Sequence, residues 1–295
     1  MTVGSWLFIV LFATVLSGFN QSTQRGNESK SSKIDEIINR IKLPDIGPAE
    51  VNITDFGAAG DGVIDCKPAI DAAIAKASSQ GGGKVIFPEG VYFCKGPIHM
   101  ESNINLHLEE GCTVIFSKDG EDYLPLQLVR WEGVELYNYS PYIYAINKTD
   151  LAITGKGTFN GNAYDGFKEW RPKQKPAQSK ARQMGHNLVP VEERRFGEGH
   201  FLRPAFIQFM DSENILISGV TIENVPFWVM HPTYCKSITI KNVTVNSQFL
   251  NNDGIDFDSC EDGLVEDCVF NCGDDAIAIK SGRDNDAWRV DKPSR

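Results

Sequence analysis

Short strand-like runs recur along the chain every 22 to 25 residues, and that period constrains the fold more than any other feature. Ile215 and Ile238 occupy matching places 23 residues apart, Cys235 and Cys260 are 25 apart, and Ile255 and Ile277 are 22 apart. From Ile104 onward the runs INLHLEEGCTVIF, LAITGKGTF, ILISGVTIENV, SITIKNVTV, GLVEDCVF and DAIAIKSG are separated by Gly, Asn and Asp. No long helix is expected among them. A unit this short cannot bury its own apolar face, so it must stack on copies of itself. Several short strands per unit predict an all-β solenoid, a parallel β-helix. Asp150-Leu151 and Asn214-Ile215 open matching stretches, and each reaches a glycine five positions after its first residue, Gly155 and Gly219. The Leu-x-x-Leu-x-Leu pattern of a leucine-rich repeat is absent. A β-sandwich would turn more often.

Three regions are expected. Residues 1–18 read as an export signal: Trp6 to Leu16 is an eleven-residue apolar run, too short to span a bilayer, and small residues follow at Ser17 and Gly18. Phe19 stands where a lipoprotein would need Cys. Residues 19–48 form a polar linker and a short amphipathic helix, with Ile34, Ile37, Ile38 and Ile41 at helical spacing before Pro44. Residues 49–295 form the β-helix. Its start is expected to be covered by a helix over Pro68 to Ser79, N-capped by Asp65 and ended by Gly81-Gly82-Gly83. The long, polar, basic stretch from Asn160 to Arg203 interrupts the repeat, either as a solvated excursion or as a wall beside a substrate.

A formal charge of −10 argues against a nucleic-acid partner, and any cation that reads a polyanionic ligand must be locally placed. The signal implies a secreted or periplasmic protein with no membrane span, and a monomer is expected. Seven cysteines include no C-x-x-C pair, and no His near Cys268 and Cys272 completes a metal set. Buried thiols stacked between coils are expected, with no metal and no cofactor.

Aspartates are concentrated in two runs, Asn251-Asn252-Asp253-Gly254-Ile255-Asp256-Phe257-Asp258 and Gly273-Asp274-Asp275-Ala276-Ile277-Ala278-Ile279-Lys280. Ile255 and Phe257 match Ile277 and Ile279 at a constant offset of 22, which sets Asp275 one coil from Asp253, about 4.8 Å away. Asp274 falls on the same edge. Three carboxylates this close cannot all ionise freely, so at least one should titrate high. Such a set suits glycoside hydrolysis, which needs a proton donor and a base for water. The competing reading is an aspartate ladder that caps turns or binds Ca²⁺.

NNDGIDFD and GDDAIAIKSG resemble the first two motifs of glycoside hydrolase family 28, the polygalacturonases. TDFGAAGDGVIDCKPAIDAAI with GGGKVIFPEGVY is similar to that family's N-terminal region. The resemblance implies a right-handed, single-stranded, pectin-lyase-like helix and inverting hydrolysis of α-1,4-linked galacturonic acid in pectic polysaccharide. It implies Asp274 as general acid, Asp253 and Asp275 as holders of the water, and Asn251 as the residue that orients them. Asn252 departs from the family's usual Thr. The family's later Gly-His-Gly and Arg-Ile-Lys elements do not occur, so the chain reads as truncated, and a fragment of this extent is expected to be poorly soluble and weakly active. Lys280 and Arg283 are the local cations that could read a substrate carboxylate in their stead, and His231 is a further cleft candidate or a packed histidine. A Ca²⁺-dependent pectate lyase and a catalytically silent polysaccharide-binding helix are the alternatives.

Overall fold

The computed structural model describes residues 25–295, so the expected export signal lies outside the described residues. The chain winds into a right-handed parallel β-helix with three faces. Seven parallel strands make the first face: Ala49–Asn52, Gly83–Phe87, Ile104–Leu108, Thr149–Gly155, Glu213–Ser218, Lys236–Lys241 and Glu261–Glu266. Another seven, from Asp61–Asp65 to Val269–Cys272, make the second. The third face runs from Ile98–His99 through Ile143–Ile146 and Ile207–Met210. It is carried by single bridges at Met230 and Thr233, then resumes as Ile255–Asp258 and Ile277–Lys280.

The period follows from side-chain stacking. Val51, Val85, Leu106, Ile153, Ile217, Ile240 and Val265 are register partners in succession and form one buried column down the first face. Tyr92, Val114, Phe159, Ile222 and Val245 form the corresponding column on the second. Each such side chain contributes about 1.5–3 kcal/mol relative to exposure. Polar residues mark the corners for a backbone reason. Asp150, Asn214, Ser237 and Asp262 open successive first-face strands with φ of 58°, 58°, 55° and 54°, in the left-handed region that Asn and Asp tolerate best. The stacked glycines 155 and 219 are required for space, since a Cβ on Gly219 would lie 2.2 Å from the Gly155 carbonyl oxygen.

Helix α1 (Arg25–Arg40) runs beside the first face, where Arg40 bonds Asp262 at 2.6 Å. Helix α2 (Lys67–Ser79) covers the start of the solenoid with Ala69, Ile70, Ala73, Ile74 and Ala77. Its boundary residue is Cys66 rather than Asp65, but Asp65 still accepts from the Lys67 N–H at 2.9 Å. All seven cysteines are free, five of them buried. Among the described residues no helix is long and apolar enough to cross a membrane.

The Asn160–Arg203 stretch is not a structureless excursion, and it holds a helix of 12 residues that the sequence did not signal. It contains helix α3 (Lys175–His186) and short 3₁₀ turns, and it packs on the antiparallel pair Gln127–Trp131 and Val134–Asn138. A second core unites Val129, Trp131, Leu136, Ala181, Phe196 and Phe227. Helix α4 (Asp284–Val290) is tied to the stretch by a buried ion pair, Arg194 to Asp286 at 2.8 Å.

Candidate active site

Strands Ile255–Asp258 and Ile277–Lys280 pair in parallel with the 22-residue offset, Ile255 opposite Ile277 and Phe257 opposite Ile279. Ile255 and Phe257 point into the core, so the pleat turns Asp256 and Asp258 outward. The turns that lead into these strands carry the aspartates. The Gly254 N–H donates to the Asp275 carbonyl at 2.8 Å, which stacks the two turns. Gly273 lets the second turn close on the first, because a Cβ there would meet the Phe249 carbonyl oxygen at 2.1 Å. Carboxylate oxygens of Asp253, Asp274 and Asp275 consequently lie within 4.8 Å of one another. Asp253 is buried, whereas Asp274 and Asp275 are exposed. Burial pushes the Asp253 carboxyl above its ordinary range; Lys280 opposes this, and Asp274 and Asp275 add to it.

A cleft of about 350 Å³ opens beside this group, lined by Trp228, Asn251, Asp253, Asp274, Lys280 and Arg283 together with Glu132 and Arg182; Asp275 does not line it. Asn251 faces Asp274. Its Oδ1 accepts from Arg203 Nη2 at 2.9 Å, which fixes the amide orientation and turns Nδ2 toward Asp274 Oδ2 at 3.4 Å. Lys280 Nζ donates to Asp253 Oδ2 at 3.2 Å and to Asp256 Oδ1, and it lies 3.7 Å from the centre of the Trp228 ring. Arg283 lines the cleft and pairs with Asp284 at 3.5 Å. His231 does not line it. The ring is wholly buried behind Trp228, 4.7 Å between centres, because Gln208 and Asp258 hold its two nitrogens at 2.8 and 3.5 Å. Burial lowers its basicity despite Asp258, so it is a packed, neutral histidine. Among the described residues the aspartate trio is the one set of three His, Cys, Asp or Glu side chains able to share an ion, but the Lys280 ammonium already stands against Asp253. A larger hollow of about 990 Å³, between α1 and the last residues, contains none of the trio.

The model of the glycosyl hydrolases family 28 matches residues 134–288, more than half of the chain, and brackets this site. This chain belongs to that family. A second model, described as rhamnogalacturonase A/epimerase, pectate lyase-like, matches residues 50–111 of the family 28 chain. A probable polygalacturonase of Vitis vinifera is 30% identical over 243 residues, 79% of this chain and 44% of that protein. An exo-poly-alpha-D-galacturonosidase of Dickeya chrysanthemi is 26% identical, covering 82% of this chain and 44% of its own. The crystal structure of a hyperthermoactive exopolygalacturonase from Thermotoga maritima superposes with a TM-score of 0.86 at 45% identity, covering 88% of this chain and 61% of that one. The family 28 chain thus spans less than half the length of these curated relatives.

Several residues that shape the family 28 site were not foreseen. Arg203 is buried, and its guanidinium donates to Gln174 and Asn251 side chains and to the Pro226 and Leu250 carbonyls at 2.8–3.0 Å. Burial, with Arg171 nearby, lowers its pKa to about 9, which still leaves it charged at neutral pH. Arg182, on α3, brings a third cation to the cleft and pairs with Glu132 at 2.6 Å. Neither arginine carries a local signal, since the partners of each are remote in sequence. Asn252 is also more than a departure from Thr. It is wholly buried and accepts from Ser247 and the Phe249 N–H while donating to the Val225 and Phe227 carbonyls.

Proposed function

We propose that this chain carries the acid/base centre of a hydrolase that cleaves α-1,4-galacturonosidic bonds of pectic polysaccharide with inversion. The observation that carries the acid/base reading is the juxtaposition of one buried and two exposed carboxylates within 4.8 Å, of which Asp253 and Asp274 line a cleft. Inversion rests on the family resemblance and not on this spacing, which is shorter than the roughly 6.5–9.5 Å common in inverting enzymes. Asp274, exposed and oriented by Asn251, is assigned the proton donor to the leaving oxygen. Asp253 and Asp275, stacked across one coil, are assigned the water. The reaction needs no redox step: the acid protonates the departing oxygen, the base takes a proton from water, and the new C–O bond forms on the opposite face of the sugar. Arg182 and Arg283 are assigned to the sugar carboxylates, as charge-assisted partners on the cleft walls. Cleavage from a chain end is the mode we favour, because the folded Asn160–Arg203 stretch, through α3 and Arg182, walls one side of the cleft.

The experiment is reducing-sugar release from polygalacturonate by the chain alone and by the chain joined to later coils of a family 28 relative, with Asp274→Asn alongside. Release that falls at least ~10²-fold in the variant, with the β-anomer as first product by proton NMR, is expected. A first product of α configuration would overturn inversion. Rapid viscosity loss with long products would overturn chain-end action. No release from either form while pectin still binds would favour the polysaccharide-binding alternative.

A further inference from the structure

Behind the three aspartates stands a fourth carboxylate. Asp256 points outward from strand Ile255–Asp258, yet it is wholly buried. Its partner is Lys280 of the next coil, whose ammonium bridges Asp256 Oδ1 and Asp253 Oδ2. Register alone would not give this pairing, because the residue opposite Lys280 is Asp258. Asp258 is already engaged by Arg130 at 3.1 Å, by His231 at 3.5 Å and by the Gly282 N–H at 2.9 Å. The Lys280 side chain therefore crosses to Asp256 and Asp253, with its ammonium against the Trp228 ring. The second oxygen of each of these two aspartates is buried without a protein partner. One cation thus serves two desolvated carboxylates, an arrangement in which a low-dielectric site favours a single negative charge and one retained proton.

We propose that Asp256 and Lys280 are positioning residues that hold Asp253 ionised, and that Lys280 is therefore not a free cation for reading the substrate. The role given to Asp253 rests on the proposed hydrolase function, whereas the charge arrangement can be tested without it. Burial pushes the Asp256 carboxyl well above the ordinary range, with Asp253 adding and Lys280 opposing, so the retained proton belongs there. Burial would discharge Lys280, but Asp256 and Asp253 outweigh it and keep the ammonium charged. The other charged or titratable groups facing the set are Asp274 and Asp275 on the adjoining turn with the Cys272 thiol beneath them, Asp258 with Arg130 and His231 behind it, and Glu132, Arg182 and Arg283 along the cleft.

The test is a carboxyl ¹³C titration of the aspartate-labelled chain, with the Asp253 signal assigned by Asp253→Asn. Lys280→Met should raise the Asp253 midpoint by ~1 pH unit or more, the size of a close opposite charge. Lys280→Arg should leave it near wild type, and Asp256→Asn should leave it unchanged or lower. A Lys280→Met midpoint within roughly 0.3 units of wild type, or equal displacement by Met and Arg, overturns the proposal. In a protein that releases sugar, Lys280→Met should lower kcat and move the acidic limb of kcat/KM upward, with KM within about twofold. A KM rise of about tenfold with an unmoved limb would make Lys280 a substrate reader and sink the idea. The expected titration without sugar release would defeat the hydrolase reading and leave the charge arrangement standing.

Discussion

Asn252 commits all of its amide to the protein: two acceptors' worth of bonds from Ser247 and Phe249, and two donated to Val225 and Phe227. It is wholly buried, so truncation leaves the Phe249 N–H and the Val225 and Phe227 carbonyls without partners and the Ser247 hydroxyl with the Val225 N–H alone. Asn252→Ala should lower unfolding free energy by about 2–4 kcal/mol in urea titrations, while Asn252→Thr, which restores part of the set, should cost less. The family motif was legible at this position, but the reason for the residue was not, because its partners lie 25 and 27 residues away on the previous coil. Asp256 gives a pH prediction of definite sign. Its folded-state pKa lies above the unfolded value near ~3.9, so the native state keeps a proton that the unfolded chain loses. The stability this contributes is present below about pH 4 and is lost as pH rises toward the folded value. Wild type should therefore lose stability relative to Asp256→Asn between about pH 4 and pH 7, read from urea midpoints at both. A difference that stayed constant would show that Asp256 ionises normally.

At the scale of elements, the Asn160–Arg203 stretch is held by charge as well as by its core. Arg194 and Asp286 are both buried, and Asp286 also accepts from the Glu135 N–H at 2.9 Å and from Arg289 at 3.0 Å. Removing Arg194 leaves Asp286 with Arg289 as its cation and frees the Val189 and Glu135 carbonyls, so Arg194→Met should cost about 2–3 kcal/mol. Asp286→Leu added to it should recover part of that loss, because the under-compensated buried charge is then gone as well. Strictly additive losses in the double-mutant cycle would contradict this coupling. The strands of the solenoid were readable because Val, Ile and Phe alternate against Asn and Gly corners. Helix α3 was hidden by its composition. Its buried positions are Ala177, Ala181 and Gly185, which keep helical spacing but carry almost no hydrophobic contrast. They are small because the helix lies close to the sheet, where a Cβ on Gly185 would approach Val134 to 2.9 Å. The aspartate trio was legible for the opposite reason, since a constant offset between apolar neighbours set the register that brings Asp253 and Asp275 together.

Taken as a whole molecule, the chain would meet the proposed polyanionic substrate with a net charge of −10, against which the cleft sets Arg182, Arg283 and the screened Lys280. Long-range repulsion is lost first as salt is added, because exposed charges are screened beyond ~10 Å at about 0.1 M, whereas contacts inside the cleft are screened less. Binding of polygalacturonate oligomers should therefore tighten as ionic strength rises from about 0.01 to about 0.1 M, measured by calorimetry. Monotonic weakening over that range would mean that the cleft cations dominate even at a distance. The ladder itself suggests how a molecule of this kind comes by a new specificity. Leu151 pairs with Ile215 in the same register as Ile215 pairs with Ile238, although 64 residues separate the first pair and 23 the second. A corner can thus lengthen into a folded wall while the coils on either side remain in step. Such a scaffold can vary what it admits to the cleft, and a single residue inserted within strand Ile255–Asp258, which would break its register with Ile277–Lys280, is a far more disruptive change than forty inserted at a corner.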